Sequence, residues 1–474
     1  EATNTGITPQ TATITVTPTA NGCPGASKPF TITVNPTPKI SNKTMTICSG
    51  ENFSLSPTNG NGGDIVPANT TYSWSEPEPQ TGISGLAAGT NETIISGTLQ
   101  NTSTSPKTIV YTITLTSGAQ GNCSGQTFTL SVTVNPKPVS LALTNKDYCN
   151  GTAVPQLNLT NSVSGTTYTW TNSNPAIGLA ASSTGNVTSI PAFTATNNTS
   201  NSITATIKLY PTFTNGGKSC TGAMEEFDIT VNPAAVVLFS KGNQTKCSGE
   251  TTDEVILSSA TNNVTFNWTA TKPTGITGPF VNSGTNTIPA QTLENTTNAP
   301  IDIIYSATGT LAGGTNCIGA PSTYIITINP KPQINTTIEK SSCSGNAFTF
   351  TPPTSGNTIP TGTTYSWGNP TLTGGMTGGA SGSNLASITG TLTNPTNTSH
   401  TATYLVTPRA NACDGTPFTV IVTVNPKPVI ANKSLTVCSG TNFTVELTDP
   451  TDIILANTSY TWGIPTVTGS LTGG

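Results

Sequence analysis

Charge is scarce in this chain. Asp, Glu, Lys and Arg make up 8% of its 474 residues, and the formal net charge is −4. With no basic stripe to neutralise phosphates, nucleic acid is excluded as a partner. Histidine is nearly absent: His400 is the single one, so a Ser-His-Asp or Cys-His arrangement could form at most once. It follows Thr398-Ser399 and reads as a solvated turn residue. No Cys-x-x-Cys occurs, which with one His removes the support for a zinc site. There is no Asp-x-Asp-x-Asp-Gly run for calcium, no Gly-x-Gly-x-x-Gly opening a helix and no P-loop. Asp64, Asp253, Asp302 and Asp452 read as scattered, and the neighbours Glu225 and Glu226 read as solvent-facing. The Gly-rich residues 373–383 read as a flexible connection. No catalytic residue, cofactor or metal ligand emerges, and the chain is not expected to be an enzyme. No apolar run approaches the roughly 20 residues of a spanning helix, and no polybasic or amphipathic stretch suits a membrane surface. Membrane insertion is therefore not expected.

A repeat is what the chain does have. Asn35-Pro36-Thr37-Pro38, Asn135-Pro136-Lys137-Pro138, Asn232-Pro233, Asn329-Pro330-Lys331-Pro332 and Asn425-Pro426-Lys427-Pro428 set the first prolines 100, 97, 97 and 96 residues apart. A fixed period of this size means a string of similar small domains. The predicted boundaries are whole repeats at 37–136, 137–233, 234–330 and 331–426, with partial repeats at 1–36 and 427–474. Residues 11–25 match residues 401–415, so the chain begins late in one repeat and stops inside another. That predicts a piece of a longer protein.

Within a repeat the patterning has period two. In 37–136, residues 44–47 form a first strand and Cys48-Ser49-Gly50 a turn. Residues 52–56, 71–74, 93–99, 108–116 and 127–134 follow as strands, with alternating apolar side chains. About seven short strands in a domain this size, with no helical period, predict an all-β antiparallel sandwich of immunoglobulin-like type. The Thr-rich alternation, as in residues 11–17 and 112–116, reads as a solvated β-face rather than an ice- or polysaccharide-binding ladder. Each aromatic pair, Tyr72/Trp74, Tyr168/Trp170, Phe266/Trp268, Tyr365/Trp367 and Tyr460/Trp462, lies on one face of a strand. Stacking of sugars is one use for such rings. One Trp at one place in each repeat is what packing requires, so all five are assigned to the core.

Ten cysteines occupy fixed positions. The early ones are Cys48, Cys149, Cys247, Cys343 and Cys438; the late ones are Cys23, Cys123, Cys220, Cys317 and Cys413. Each late Cys lies 13 residues before a linker proline, and each early Cys 12 to 14 after one. Such placement suits disulfides in an oxidising, extracellular setting. The first strand runs down the domain and leaves the early Cys at the bottom. The last strand starts at the top, beside the late Cys. A disulfide needs Cα atoms within about 7 Å. This topology favours bridges across the junction: Cys48–Cys220, Cys149–Cys317 and Cys247–Cys413. Cys23, Cys123, Cys343 and Cys438 would then pair outside the chain or stay open. Pairing within a repeat (Cys48–Cys123, Cys149–Cys220, Cys247–Cys317, Cys343–Cys413) remains open if the first strand is short. Cys23–Cys48 would span about two domain lengths. Bridges beside Pro-rich linkers predict a rod of repeating geometry, roughly 170 Å long at 35–40 Å per unit.

The run Cys-Ser-Gly, a short strand, Tyr-x-Trp, a Gly-x-Cys or Asn-x-Cys hairpin and Val-x-Val-Asn-Pro-x-Pro resembles the immunoglobulin-like (polycystic-kidney-disease-like) repeats of giant Bacteroidota surface proteins. The flavobacterial gliding-motility adhesins are the nearest likeness. Cys-Ser-Gly stands at Cys48, Cys247, Cys343 and Cys438; Cys149-Asn150-Gly151 departs from it, as does Asn232-Pro233-Ala234-Ala235, which lacks the second proline. The resemblance implies export by type IX secretion, a filament attached to the bacterial outer membrane, and partners in the secretion and motility machinery. The expected function is a structural stalk of a cell-surface adhesin whose contacts are with neighbouring repeats of its own chain. The alternative is a repeat array that itself binds surface polysaccharide or a substratum.

Overall fold

Alternation along the strands decides the architecture. In Lys107–Thr116 the side chains of Ile109, Tyr111, Ile113 and Leu115 are buried, while Val110 between them is exposed. Phe128, Leu130, Val132 and Val134 do the same in Phe128–Asn135. One face of each strand must be covered, so two sheets close on each other. The computed structural model describes residues 1–118, 121–313, 315–447 and 452–472. They divide into two compact units, residues 1–234 with 313–317, and residues 235–312 with 318–474.

In the first unit, the repeat at 37–136 shows the plan. Its larger sheet joins a leading strand Lys43–Cys48, a closing strand Phe128–Asn135, a long strand Lys107–Thr116, an aromatic strand Thr71–Trp74 and the short Gly89–Glu92, in that order. The smaller sheet pairs Asn52–Leu55 with Ile95–Thr98. Phe53, Tyr72, Trp74, Ile95, Leu99, Tyr111 and Leu130 fill the space between them. Residues expected as one strand at 93–99 thus belong to an element split between the sheets, with Gly89–Glu92 in one and Ile95–Thr98 in the other. The second repeat places Lys146–Cys149, Glu225–Asn232, Ile203–Asn215 and Thr167–Asn172 in the same order around its own core.

The second unit holds two further sandwiches. Gln244–Cys247, Ser322–Asn329, Ile301–Leu311, Val264–Ala270 and Ser283–Thr285 form one large sheet. Ile338–Cys343, Phe418–Asn425, His400–Ala410, Thr364–Trp367 and Gly382–Leu385 form the other. The fold is all-β, in tandem immunoglobulin-like sandwiches.

One pairing departs from the antiparallel expectation. The leading strand runs parallel to the closing strand, with Lys43 opposite Leu130 and Cys48 opposite Asn135. It lies at the sheet edge beyond the closing strand, having entered from the linker at the same end that the long strand leaves. Two more readings change. Residues 373–383 are built into the fourth repeat: Met376 is buried and Thr377–Gly378 pairs with Ile388–Thr393. His400 opens the strand His400–Ala410 opposite Val424, half-buried, with Nε2 3.2 Å from the Thr398 hydroxyl.

Candidate functional site

The ends of the sandwiches are where the unusual residues gather. Parallel pairing sets four of the five early cysteines beside a linker Asn: Cys48 by Asn135, Cys149 by Asn232, Cys247 by Asn329 and Cys343 by Asn425. The chain then turns sharply. Ser49 N–H donates to the Asn135 carbonyl at 2.8 Å, and Gly50, at φ 79°, donates to the Leu99 carbonyl at 2.8 Å. That φ favours glycine. Late cysteines sit at the other end, in the hairpin between long and closing strands, as Cys220 does opposite Phe213.

Three disulfides join these positions. Cys48 is bonded to Cys220 and Cys149 to Cys317, each with Cα atoms 5.5 Å apart, and Cys247 is bonded to Cys413 at 5.7 Å. Each passes from a leading strand to the hairpin of the repeat that follows in sequence. Cys23, Cys123, Cys343 and Cys438 carry free thiols.

Polar contacts flank the bridges. Asn135 Nδ2 donates to the Asn215 carbonyl at 2.9 Å, and Asn215 Nδ2 donates back to Asn135 Oδ1 at 3.0 Å. The Glu51 carboxylate accepts from Cys48 N–H at 3.0 Å and pairs with Lys218 at 2.9 Å. The Cys48 N–H first, and Lys218 second, hold its carboxyl below the ordinary value. Asn232 Nδ2 lies 3.4 Å from the Thr315 hydroxyl beside Cys317. In the second unit Asn329 Nδ2 donates to the Asn411 carbonyl at 3.1 Å, and Asn298 Oδ1 accepts from Ile359 N–H at 2.7 Å. A cavity of about 300 Å³ there is lined by Ser248, Asn295, Lys331, Pro332, Gln333 and Thr358.

The linker is clasped by a glycine that sequence reading passed over. Gly125, Gly222, Gly319 and Gly415 each stand two residues after a late Cys. A Cβ on Gly222 would lie 2.6 Å from the Pro138 carbonyl oxygen. At Gly125, Gly319 and Gly415 the carbonyls of Pro38, Ala235 and Pro332 come closer still. Pro38, Pro138, Ala235 and Pro332 are all buried. Ala235 therefore takes the second proline's place where that proline is missing. The signal was a Cys-x-Gly at every late cysteine.

A second missed feature is a buried Asn before each long strand. Asn101, Asn197, Asn295 and Asn394 donate to the closing-strand carbonyls of Val134, Val231, Ile328 and Val424 at 2.7–2.9 Å. Each also donates to a carbonyl four residues on and accepts from the N–H two residues on. The signal was an Asn-x-Ser/Thr returning with the repeat.

The aromatic rings are enclosed. Trp74, Trp170, Trp268 and Trp367 are at most 8% exposed, and glycines at 89, 284 and 382 press on three of the indoles. Trp462 differs at 88% exposed. In the whole repeats, strands far downstream of the Trp cover it, and residues 427–472 contain no strand among the described residues. Tyr460 is exposed with it.

Two carboxylate readings are corrected. Glu225 is half-buried, not solvent-facing: it accepts from Leu141 N–H at 2.6 Å, and burial pushes its carboxyl up. Asp64 and Asp452 occupy like places, not scattered ones. Asp64 accepts from Ser41 N–H at 2.8 Å and pairs with Lys43 at 2.7 Å; Asp452 accepts from Ala431 N–H at 2.8 Å and pairs with Lys433 at 2.6 Å. Burial alone would raise the Asp64 carboxyl, but Lys43 and Ser41 outweigh it and hold it below the ordinary carboxylate value. Among the described residues no group of three or more His, Cys, Asp or Glu could hold a metal ion, and no helix is long and apolar enough to cross a membrane.

The PKD-like domain family matches residues 45–138, 244–332 and 340–428. Among solved structures, the chain is similar to the protocadherin GammaB4 extracellular domain (11% identity, 88% of this chain and 72% of that one, TM-score 0.26). It is also similar to the human Desmocollin-1 ectodomain (10%, 85% and 84%, TM-score 0.24) and to a fragment of mouse Cadherin-23 (12%, 61% and 99%, TM-score 0.25). No curated protein sequence matches.

Proposed function

We propose that this chain, which belongs to the PKD-like domain family, is a stretch of the stalk of a long filamentous adhesin on the cell surface. The observation that carries the reading is the set of bridges Cys48–Cys220, Cys149–Cys317 and Cys247–Cys413. A bond from the lower end of one sandwich to the hairpin of the next serves no chemistry at a substrate. It fixes neighbours to each other, which is what a spacer under tension needs. Tandem immunoglobulin-like repeats closed by disulfides are non-enzymatic modules of an extracellular adhesion or stalk region. Enclosure of Trp74, Trp170, Trp268 and Trp367 removes the rings that a sugar platform would use.

The finer assignment rests on the sequence resemblance. In this reading the parent protein serves gliding motility, leaves the cell by type IX secretion and is held at the bacterial outer membrane. The test has two arms. The purified chain, offered to immobilised polysaccharides and glass, should bind neither. An in-frame deletion of residues 137–330 in the parent gene should shorten the filament's reach under electron microscopy while cells still adhere. Micromolar binding of a glycan by the chain alone would replace the stalk with a binding array.

A further inference from the structure

We infer that the three staggered disulfides act as an extension lock, so that the oxidised chain between Cys48 and Cys413 cannot be drawn out even when its sandwiches come apart. The use of the lock rests on the stalk reading; its geometry does not. Follow the covalent bonds as a pulled chain would. From Cys48 the shortest route crosses to Cys220, runs on to Cys247 and crosses to Cys413. That route holds about 27 residues of backbone where the sequence holds about 365, or roughly 90 Å against roughly 1,200 Å at full extension.

The overlap of the bridges produces this. Had each bridge closed a loop inside one repeat, the loops would lie in series and every linker would remain in the line of pull. Here each loop spans 166 to 172 residues and reaches into the next, so the loops share backbone and shelter one another. The segment left on the route contains Glu225–Asn232, the linker with Ala234-Ala235, Leu238–Phe239 and Gln244–Cys247. Trp170, Trp268, Trp367 and their strands lie off it. Strand pairs held by hydrogen bonds separate under force at a rate set by unfolding; the covalent route does not lengthen when they do.

Cys149–Cys317 lies off the shortest route. It bridges over the segment that the other two leave in tension, and this is the linker without a second proline. Thiols in solution have poor access to the Cys48–Cys220 bridge, both of whose cysteines are buried, while Cys149 and Cys247 are half-buried. Cys48, Cys220, Cys317 and Cys413 are each at most 3% exposed, so every bridge has at least one buried member. Exchange requires a thiolate to reach a sulfur, and burial slows that.

Single-molecule pulling of the full chain through handles at its two ends tests the lock, with the free thiols of Cys23, Cys123, Cys343 and Cys438 alkylated first. Reduction should add roughly 1,100 Å to the length of the fully stretched chain. The pair Cys149→Ser with Cys317→Ser should add nothing. The pair Cys247→Ser with Cys413→Ser, and the pair Cys48→Ser with Cys220→Ser, should each add roughly 500 Å, because the shortest route must then detour through the Cys149 bridge. Bridges inside single repeats would instead give roughly 480 Å for the pair Cys149→Ser with Cys317→Ser, because Cys149–Cys220 and Cys247–Cys317 would both open, and that result overturns the proposal. Non-reducing peptide mapping establishes the two remaining bridges in each variant. Where a variant fails to form them, the oxidised-against-reduced comparison of the native chain decides alone. A chain that locks yet binds glycans keeps the lock and loses the stalk; a chain that draws out fully does the reverse.

Discussion

Asn295 makes four hydrogen bonds from one short side chain. Nδ2 donates to the carbonyls of Ile328 and Ala299, both at 2.8 Å, and Oδ1 accepts from Thr297 N–H at 2.9 Å and its hydroxyl at 2.8 Å. The residue is 4% exposed, so water cannot take over these partners. Asn295→Ala would strand a buried carbonyl on the closing strand and release the loop that enters Ile301–Leu311. Unsatisfied buried groups cost about 1–3 kcal/mol each, so the loss should be about 2–4 kcal/mol. Hydrogen exchange of Ser322–Asn329 should then speed up roughly 30-fold or more; unchanged protection would make the side chain a passenger. Nothing in composition singles this Asn out. It lies among Thr, Asn and Ser, where Asn is common in solvated turns, and only its recurrence at Asn101, Asn197 and Asn394 separates it from them. The Asp64 and Asp452 pair was hidden in the same way: two carboxylates among twenty acidic residues show their kinship only when Lys43 and Lys433 are aligned with them.

At the scale of elements, alternation was legible because it has a single cause. Ile109, Tyr111, Ile113 and Leu115 must face a core, and period two follows. Partnership between strands has no such local signature. The leading strand's parallel pairing depends on where the linker delivers the chain, and Thr44, Met45 and Thr46 would read alike in either direction. Trp462 misleads for the reverse reason, since its strand has the aromatic spacing but its cover comes from residues far along the chain. The glycine clasp combines both problems, being a contact between a hairpin and a linker distant in sequence. It makes a sharp comparison within one repeat. A Cβ on Gly319 would meet the Ala235 carbonyl, while one on Gly242 would meet nothing within 4 Å. Gly319→Ala should therefore destabilise the third repeat by about 1–3 kcal/mol through forced backbone movement. Gly242→Ala should stay within about 0.5 kcal/mol. Urea titration followed by limited proteolysis of that repeat reads both; equal shifts would show that the linker yields freely.

Among the described residues of the whole molecule there are four cores, each closed by the strands of its own repeat. Nothing in those cores requires one repeat to melt with the next, so their coupling depends on the bridges and the polar contacts beside them. Each bridge closes a loop of 166 residues or more, which in the chain-entropy description restricts the unfolded chain more than a short loop would. Breaking one should cost about 2–4 kcal/mol, shared between the two repeats it joins. Calorimetry on the oxidised chain should thus show repeats melting in overlapping, mutually raised transitions. After reduction the transitions should fall by roughly 4–8 °C or more and separate by repeat, since about 1 kcal/mol moves a domain of this size by that much. Alkylating Cys23, Cys123, Cys343 and Cys438 without reduction should leave the trace unchanged, because those thiols bond to nothing in this chain. Superimposable traces before and after reduction would mean that the polar contacts alone, Asn135 with Asn215 and Asn329 with Asn411, hold neighbours together. The disulfides would then limit only how far the chain can be pulled.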